Sequence, residues 1–301
     1  MGSVQIDGEG SRLFMRKETG VKRSVRKSAA KTVIPIVTSV LLFFLACSML
    51  IPFIWMITTS LMTELEVYQF PPKILPTNWK WSNYIEAMTL QPFGRFFLNS
   101  AIVAGASVFG QLIFCSMAAY AFARLSFRGR EKFFTLYLST MMIPAIVTII
   151  PAFLIINAFG WMNTYWALFT PTLSSVWGIF LMRQFFQTIP KDLEDAARVD
   201  GASEFTIFWR VILPLSKPAL ATLAIFAFMG SWKDFLWPLI VTNRMDMRTV
   251  EVGIANFSSL YTTDWPHQMA AAVIVMLPII LVFILAQKYF VRGITLTGLK
   301  G

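Results

Sequence analysis

An all-α membrane protein with six transmembrane helices is the fold class the sequence predicts, and three observations carry that prediction. Hydrophobic residues fill 56% of the 301 positions and charged residues only 14%, against roughly a quarter charged in a typical soluble domain. The mean hydropathy is +0.62. Six apolar stretches are long enough to cross the hydrocarbon layer as helices, which takes about 20 residues because every backbone amide must find its partner inside the segment. Disordered, collagen-like and small disulfide-stapled classes are excluded by the same composition. Two cysteines, Cys47 and Cys115, lie inside apolar runs, and a single histidine, His267, leaves no His-rich metal site.

The first span, 33–57, follows a basic tail, 1–32. It is too long for a signal-peptide core and no small-residue cleavage site follows it, so it is expected to be retained. Segment 62–94 carries Pro71, Pro72, Pro76, Trp79, Trp81 and Tyr84, which suit an interfacial loop or the docking of an external partner. The second span is 96–122. The third, 133–156, contains Pro144 and Pro151, and the fourth, 166–186, contains Pro171. Proline is tolerated in such helices because neighbours re-satisfy the freed carbonyls. The fifth span, 219–242, holds Pro238 and the adjacent charges Lys233 and Asp234; segment 243–267, with Tyr261, Trp265 and Pro266, then leads to the sixth, 269–290, which holds Pro278.

Positive residues are retained on the cytoplasmic side. Of the 26 Lys and Arg residues, twenty fall in the N-terminal tail, the two loops on its side and the C-terminus; five fall on the opposite side, and Lys233 lies in a span. Both termini are therefore expected in the cytoplasm, as an even number of spans also requires. The formal net charge of +10 is a topology signal and not a sign of nucleic-acid binding.

The cytoplasmic loop 188–220 has a helical design of its own. Asp192 is placed to cap a helix, with Asp195 as a weak capping-box partner, and both acids suit the positive end of the dipole. Leu193, Ala196 and Ala197 are expected on one face. Gly201 supplies the left-handed residue that stops the helix. Ser203 is placed to cap a second helix with Phe205, Phe208, Trp209 and Ile212 at helical spacing, ended by Pro214, and Pro218 suits the first turn of the next span. Two amphipathic helices joined at a glycine fit either a protein docking site or helices lying in the headgroup layer.

The run Glu194-Asp195-Ala196-Ala197-Arg198-Val199-Asp200-Gly201-Ala202, followed by Val211-Ile212-Leu213-Pro214, resembles the EAA loop of bacterial ABC importer permeases. Asp195 stands where that pattern has Glu and Val211 where it has Ile. Trp232-Lys233-Asp234-Phe235-Leu236-Trp237-Pro238-Leu239 and the ending Gly293-Ile294-Thr295-Leu296-Thr297-Gly298-Leu299-Lys300-Gly301 are most similar to the carbohydrate-uptake, maltose-type branch. The resemblance implies a six-span permease domain at 33–290 with a coupling loop at 188–218 and a cytoplasmic C-terminal tail at 291–301. It implies a multi-pass protein of the bacterial inner membrane that pairs with a second permease subunit, two cytoplasmic ATPase subunits and an extracytoplasmic solute-binding protein, and binds no nucleic acid. Glu194, Asp195, Ala196, Ala197, Asp200, Gly201, Leu213 and Pro214 would form the ATPase-coupling site, and Gly298, Lys300 and Gly301 would reach the ATPase dimer. ATP and Mg would be bound by the partner subunits, this chain carrying no cofactor, no metal and no catalytic residue.

A Gly-x-x-x-x-Gly-Lys-[Ser/Thr] phosphate loop is absent from the sequence. A secondary active transporter of a small polar solute is the alternative, and inverted repeats or paired intramembrane charges would favour it. Within the fifth span, Trp232, Lys233, Asp234 and Trp237 are candidates for the substrate path. Charges at a helix centre cost roughly 2.5–3.5 kcal/mol each, so they face cavities more often than lipid. Lys233 replaces the Asn more usual in the similar family, and would suit an anionic saccharide; the two tryptophans suit packing or ring stacking. Asn99, Gln111, Ser139, Asn157 and Ser174 are further candidate cavity polars or interhelical hydrogen bonders.

Overall fold

The computed structural model describes the backbone of residues 9–259 and 261–298 and the side chains of residues 35–259 and 261–287. Two compact units divide the chain, Met1–Ile57 and Thr58–Gly301. Helix dominates both; an isolated bridge between Ser258 and Thr263 is the extended pairing found among the described residues.

Helix α1, Glu9–Ser60, starts well before the expected span, because the Arg-, Lys- and Ala-rich stretch ahead of it contains strong helix formers and no proline. Its apolar part, Pro35–Ser60, has a mean hydropathy of 2.6, with exposed side chains from Pro35 to Trp55. Such a surface suits lipid.

In the second unit, α2 (Glu64–Val67) is one turn begun by a capping box between Thr63 and Glu66. The Glu66 carboxylate accepts from the N–H of Thr63 at 3.0 Å and from that of Thr77 at 2.9 Å. These bonds, the Thr63 one foremost, push its pKa down to about 2. In α3 (Ser82–Leu90), Asn83 Nδ2 donates to the carbonyls of Ser60 and Met62. Helix α4 (Phe93–Ala123) is unbroken over 31 residues.

The expected third span is two helices, α5 (Arg130–Ser139) and α6 (Ala145–Ala158), the latter bent by 100° from the helical run that ends at Met142. Pro144 has no N–H to donate and forces Ile143 into an extended conformation (φ −80°, ψ 118°). The fourth consists of α7 (Tyr165–Phe169), a 3-10 turn at Thr170–Thr172, and α8 (Val176–Thr188), which Ser175 caps. Next come α9 (Asp192–Val199), α10 (Glu204–Ile207), a π-helical turn at Phe208–Ile212, and α11 (Leu213–Leu215). The fifth is α12 (Lys217–Trp232) and α13 (Leu236–Val241), separated by Lys233, Asp234 and Phe235. Helix α14 (Val250–Ala255) precedes α15 (Trp265–Gly298).

Among the described residues, three helices are long and apolar enough to cross a membrane unbroken, Pro35–Ser60, Phe93–Ala123 and Trp265–Gln287, or up to five if each of two bent pairs counts as one crossing. Of the six expected spans, the first, second and sixth are long helices and the third, fourth and fifth are each broken. Helix α4 is the post on which the broken helices pack, α12 along its length, α8 toward its C-terminal end and α7 and α14 toward its N-terminal end. Close approach needs a residue without a side chain: a Cβ on Gly178 of α8 would stand 2.8 Å from Leu223 Cδ1 of α12 and 3.0 Å from Cys115 Sγ of α4.

Candidate functional site

The loop between α8 and α12 folds largely as its local chemistry dictates. Gly201 has φ +81°, and the Ala202 N–H bonds to the Ala197 carbonyl at 2.9 Å while the Gly201 N–H bonds to that of Arg198 at 3.0 Å. That double bond pattern is a Schellman ending with glycine in its left-handed position. Ser203 caps α10, accepting from the Thr206 N–H, and Pro218 sits in the first turn of α12.

Three expectations are corrected. Lys191, with no side-chain bond, occupies the N-cap of α9, so Asp192 is its first residue and not its cap; Asp192, Glu194 and Asp195 still lie in the first turn, where the dipole favours acids. Phe205 and Trp209 do not share a buried face with Phe208 and Ile212. Ile207, Phe208 and Ile212 are buried, while Phe205 and Trp209 are exposed with their rings 6.0 Å apart. The π turn inserts a residue and so breaks the 3.6-residue register. Pro214 does not end the helix but stands in the first turn of α11, and the chain turns by 81° at Ser216, whose hydroxyl bonds to the Ile212 carbonyl at 2.7 Å.

Helix α9 is fastened by a charge network that composition alone does not reveal. Arg124, the C-cap of α4, is 3% exposed; its Nε lies 2.8 Å from Oε1 of Glu194, itself 2% exposed. The Arg124 Nη2 group donates to the carbonyls of Phe186 and Ile189 at 2.6 and 2.5 Å. One guanidinium thus ties the end of α4, the end of α8 and the first turn of α9. Arg198 bridges outward, 2.7 Å from Asp195, 2.8 Å from Glu204 and 3.5 Å from Glu194. Tyr120 of α4 donates to Glu204 at 2.6 Å. Arg198 first, and the Tyr120 hydroxyl after it, hold the Glu204 carboxyl below the usual range.

This fastening sorts the residues singled out in the loop. Glu194 faces inward, and Ala197, Ala202 and Leu213 pack against the core formed by α4, α8 and the π turn. Asp195, Ala196, Asp200, Gly201 and Pro214 are exposed. Val199, 88% exposed, and Phe205, 66% exposed, give the same surface two apolar side chains with nothing over them. Leu193 is 44% exposed. In the tail, Gly298 ends the last described helix, and Lys300 and Gly301 lie outside the described residues.

The fifth span breaks where Lys233 and Asp234 stand. Both tryptophans flanking the break are buried in packing: Trp232 Nε1 donates to the Val275 carbonyl at 3.1 Å and Trp237 Nε1 to that of Ala167 at 2.8 Å. Asp234 Oδ1 accepts from the Trp237 N–H at 3.4 Å, at the start of α13, and makes no ion pair with Lys233. Lys233 is exposed at the C-cap of α12, where the helix dipole favours a cation. Its charge opposes the upward push that burial exerts on Glu251 of α14. Asn99 is structural, donating to the carbonyls of Asp246 and Arg248 and accepting from the Tyr165 hydroxyl. Ser139 bonds back to the Leu136 carbonyl, Asn157 is exposed, and Gln111 and Ser174 line a cavity between α4, α8 and α12.

Arg124 is the functional residue that sequence reasoning missed, since it entered only as one positive charge among twenty. A clue was its place at the end of a span, where an arginine finds unpaired carbonyls.

Residues 111–296 match the family model described as binding-protein-dependent transport system inner membrane component. The chain is 33% identical over 264 residues to the probable ABC transporter permease protein YurM of Bacillus subtilis, covering 87% of each. It is 38% identical over 209 residues to the arabinooligosaccharides transport system permease protein AraQ of Halalkalibacterium halodurans, covering 69% of this chain and 75% of that one. A solved structure of a bacterial ABC transporter involved in the import of the acidic polysaccharide alginate superposes with a TM-score of 0.74 and 26% identity, over 95% of this chain and 100% of the other.

Proposed function

Since the chain belongs to the family of binding-protein-dependent transport system inner membrane components, we propose that it is a permease subunit of an ABC importer that carries an oligosaccharide, anionic in character, across the bacterial inner membrane. The family does not favour the alternative of a secondary transporter. The importer reading includes a second permease subunit, two cytoplasmic ATPase subunits and an extracytoplasmic solute-binding protein. ATP and Mg belong on the ATPases, because this sequence has no phosphate-cradling loop.

The observation that carries the coupling role is the clamp on α9. A short helix presents Asp195, Ala196, Val199 and Asp200 outward while Arg124 holds its inner face to the ends of α4 and α8. Small side chains let a partner approach the backbone closely, and a joint held at both ends transmits displacement to the spans instead of absorbing it. The positive-residue count supports a cytoplasmic position for this loop and both termini, on the ATPase side. Expressed with its genomic neighbours and purified in mild detergent, the chain is expected to bring down an ATPase in stoichiometric amount. Its recovery without any ATPase would defeat the reading.

Support for an anionic sugar comes from Lys233 together with the 26% identical alginate importer. AraQ is named for arabinooligosaccharides, so charge selection is a property to be tested in this chain. Lys233→Asn is expected to reduce uptake of a uronate oligomer about tenfold more than uptake of a neutral one, a difference of about 1.4 kcal/mol. Equal losses on both substrates would remove the charge-selection role.

A further inference from the structure

At the break between α7 and α8 a cavity of about 420 Å³ opens against α4 and α12, within the ~300–1,000 Å³ of ordinary small-molecule sites. Its polar groups come from three separate elements. The Gln111 amide donates to the Thr172 carbonyl at 3.0 Å and accepts from the Ser175 hydroxyl at 3.1 Å. Ser107, behind the wall, bonds the hydroxyls of Thr172 at 2.5 Å and of Ser231 at 3.4 Å. The lining is therefore held in place before any ligand arrives, and Ser174 on it is exposed. Trp177 forms an aromatic flank, its ring 4.7 Å from that of Phe226.

Irregular backbone and clustered hydroxyls at membrane depth are tolerated where they are buried in protein or line a water-filled space. Gly230 of α12 forms part of the floor, and nothing lies within 4 Å of the point where a Cβ would stand. Lys233, the C-cap residue of α12, lies three residues beyond Gly230, and both are exposed. Hydroxyl and amide groups beside an indole, with the exposed Lys233 two residues beyond the lining residue Ser231, match the chemistry of a sugar ring bearing a carboxylate.

We propose that this cavity is a saccharide subsite on this chain itself, in which the lining from Gln111 to Ser231 holds the hydroxyls of one ring and Lys233 takes its acidic substituent. The inference rests on the oligosaccharide-importer reading and adds the place of contact. It predicts that substrate meets this permease directly during translocation.

Gly230→Leu tests it, because the side chain enters open space, helix propensity improves, and the floor is filled. In the complete complex reconstituted into liposomes, with labelled uronate and arabinose trisaccharides as probes, Gly230→Leu should lower uptake by about tenfold or more. Binding-protein-stimulated ATP hydrolysis should persist, and Gly230→Ala should raise KM with a smaller effect on maximal rate. Wild-type KM and rate in Gly230→Leu would overturn the subsite and leave the importer reading intact. Loss of the sister permease from the purified variant would assign Gly230 to a subunit interface and also overturn it. Failure of the wild-type complex to carry either sugar would defeat the oligosaccharide reading, and the subsite with it.

Discussion

Arg124→Ala is expected to abolish sugar uptake, by at least about a hundredfold, while the spans remain inserted and the subunit is still made. The variant leaves the Glu194 carboxylate buried at 2% exposure with Arg198 at 3.5 Å as its remaining cation. Stranding one member of a buried pair costs about 3–5 kcal/mol, far more than the pair contributes when intact. The Phe186 and Ile189 carbonyls lose their donor as well. Helix α9 escapes that cost by leaving the end of α4, so the joint loosens where force must cross it. The Arg124 Nε is not aimed squarely at Glu194 Oε1, which marks the contact as chiefly ionic, and Glu194→Gln should accordingly be milder than Arg124→Ala. Uptake in proteoliposomes, together with hydrogen exchange across α9, reads the effect. Full uptake with unchanged protection of α9 would show that the clamp has no part in coupling.

Gly201→Val is the second large effect, with a different origin. No atom lies within 4 Å of a Cβ built on Gly201, so crowding is not the issue. The cost is backbone strain: φ +81° is left-handed, a conformation about 1–2 kcal/mol uphill for an ordinary residue and worse for a β-branched one. Restoring an ordinary φ would break the bonds from Gly201 to Arg198 and from Ala202 to Ala197, swinging α10 away from α9. Transport should fall by about tenfold or more with the complex still assembled. Gly201→Asn should retain most of it, because asparagine tolerates the left-handed region. Normal transport by Gly201→Val would reject the fixed turn between the two helices as a requirement.

The two variants separate what was legible in the chain from what was not. Gly201 and Ser203 act through bonds within a few positions, and Pro218 through its place in the first turn of α12, so capping and turn rules find all three. Local rules misplaced the cap at Asp192 and the stop at Pro214, because Lys191 and Ser216 adopt those roles once the loop is packed. For Trp232 and Trp237 the sequence leaves sugar stacking open beside packing, the commoner role of aromatic residues in a membrane helix. Their indole bonds to Val275 and Ala167 span 43 and 70 residues, and such a distance leaves no periodic trace.

By itself, then, the sequence determined the all-α membrane class, the family and the glycine-ended helix of the loop, since each rests on composition, short spacing or a contiguous motif. Only the tertiary structure decided where the third, fourth and fifth spans break, that Arg124 locks α9 to α4 and α8, and that hydroxyls from α4, the α7–α8 break and α12 meet in one cavity. Hydropathy averages over a window and cannot see Ile143 forced out of the helix by Pro144. Charge counting sums residues without regard to partners, whereas Arg124 meets Glu194 seventy positions later. Pairings of that kind are decided by the packing of α8 and α12 on α4, where a buried charge must find its opposite or remain exposed to the full cost of desolvation.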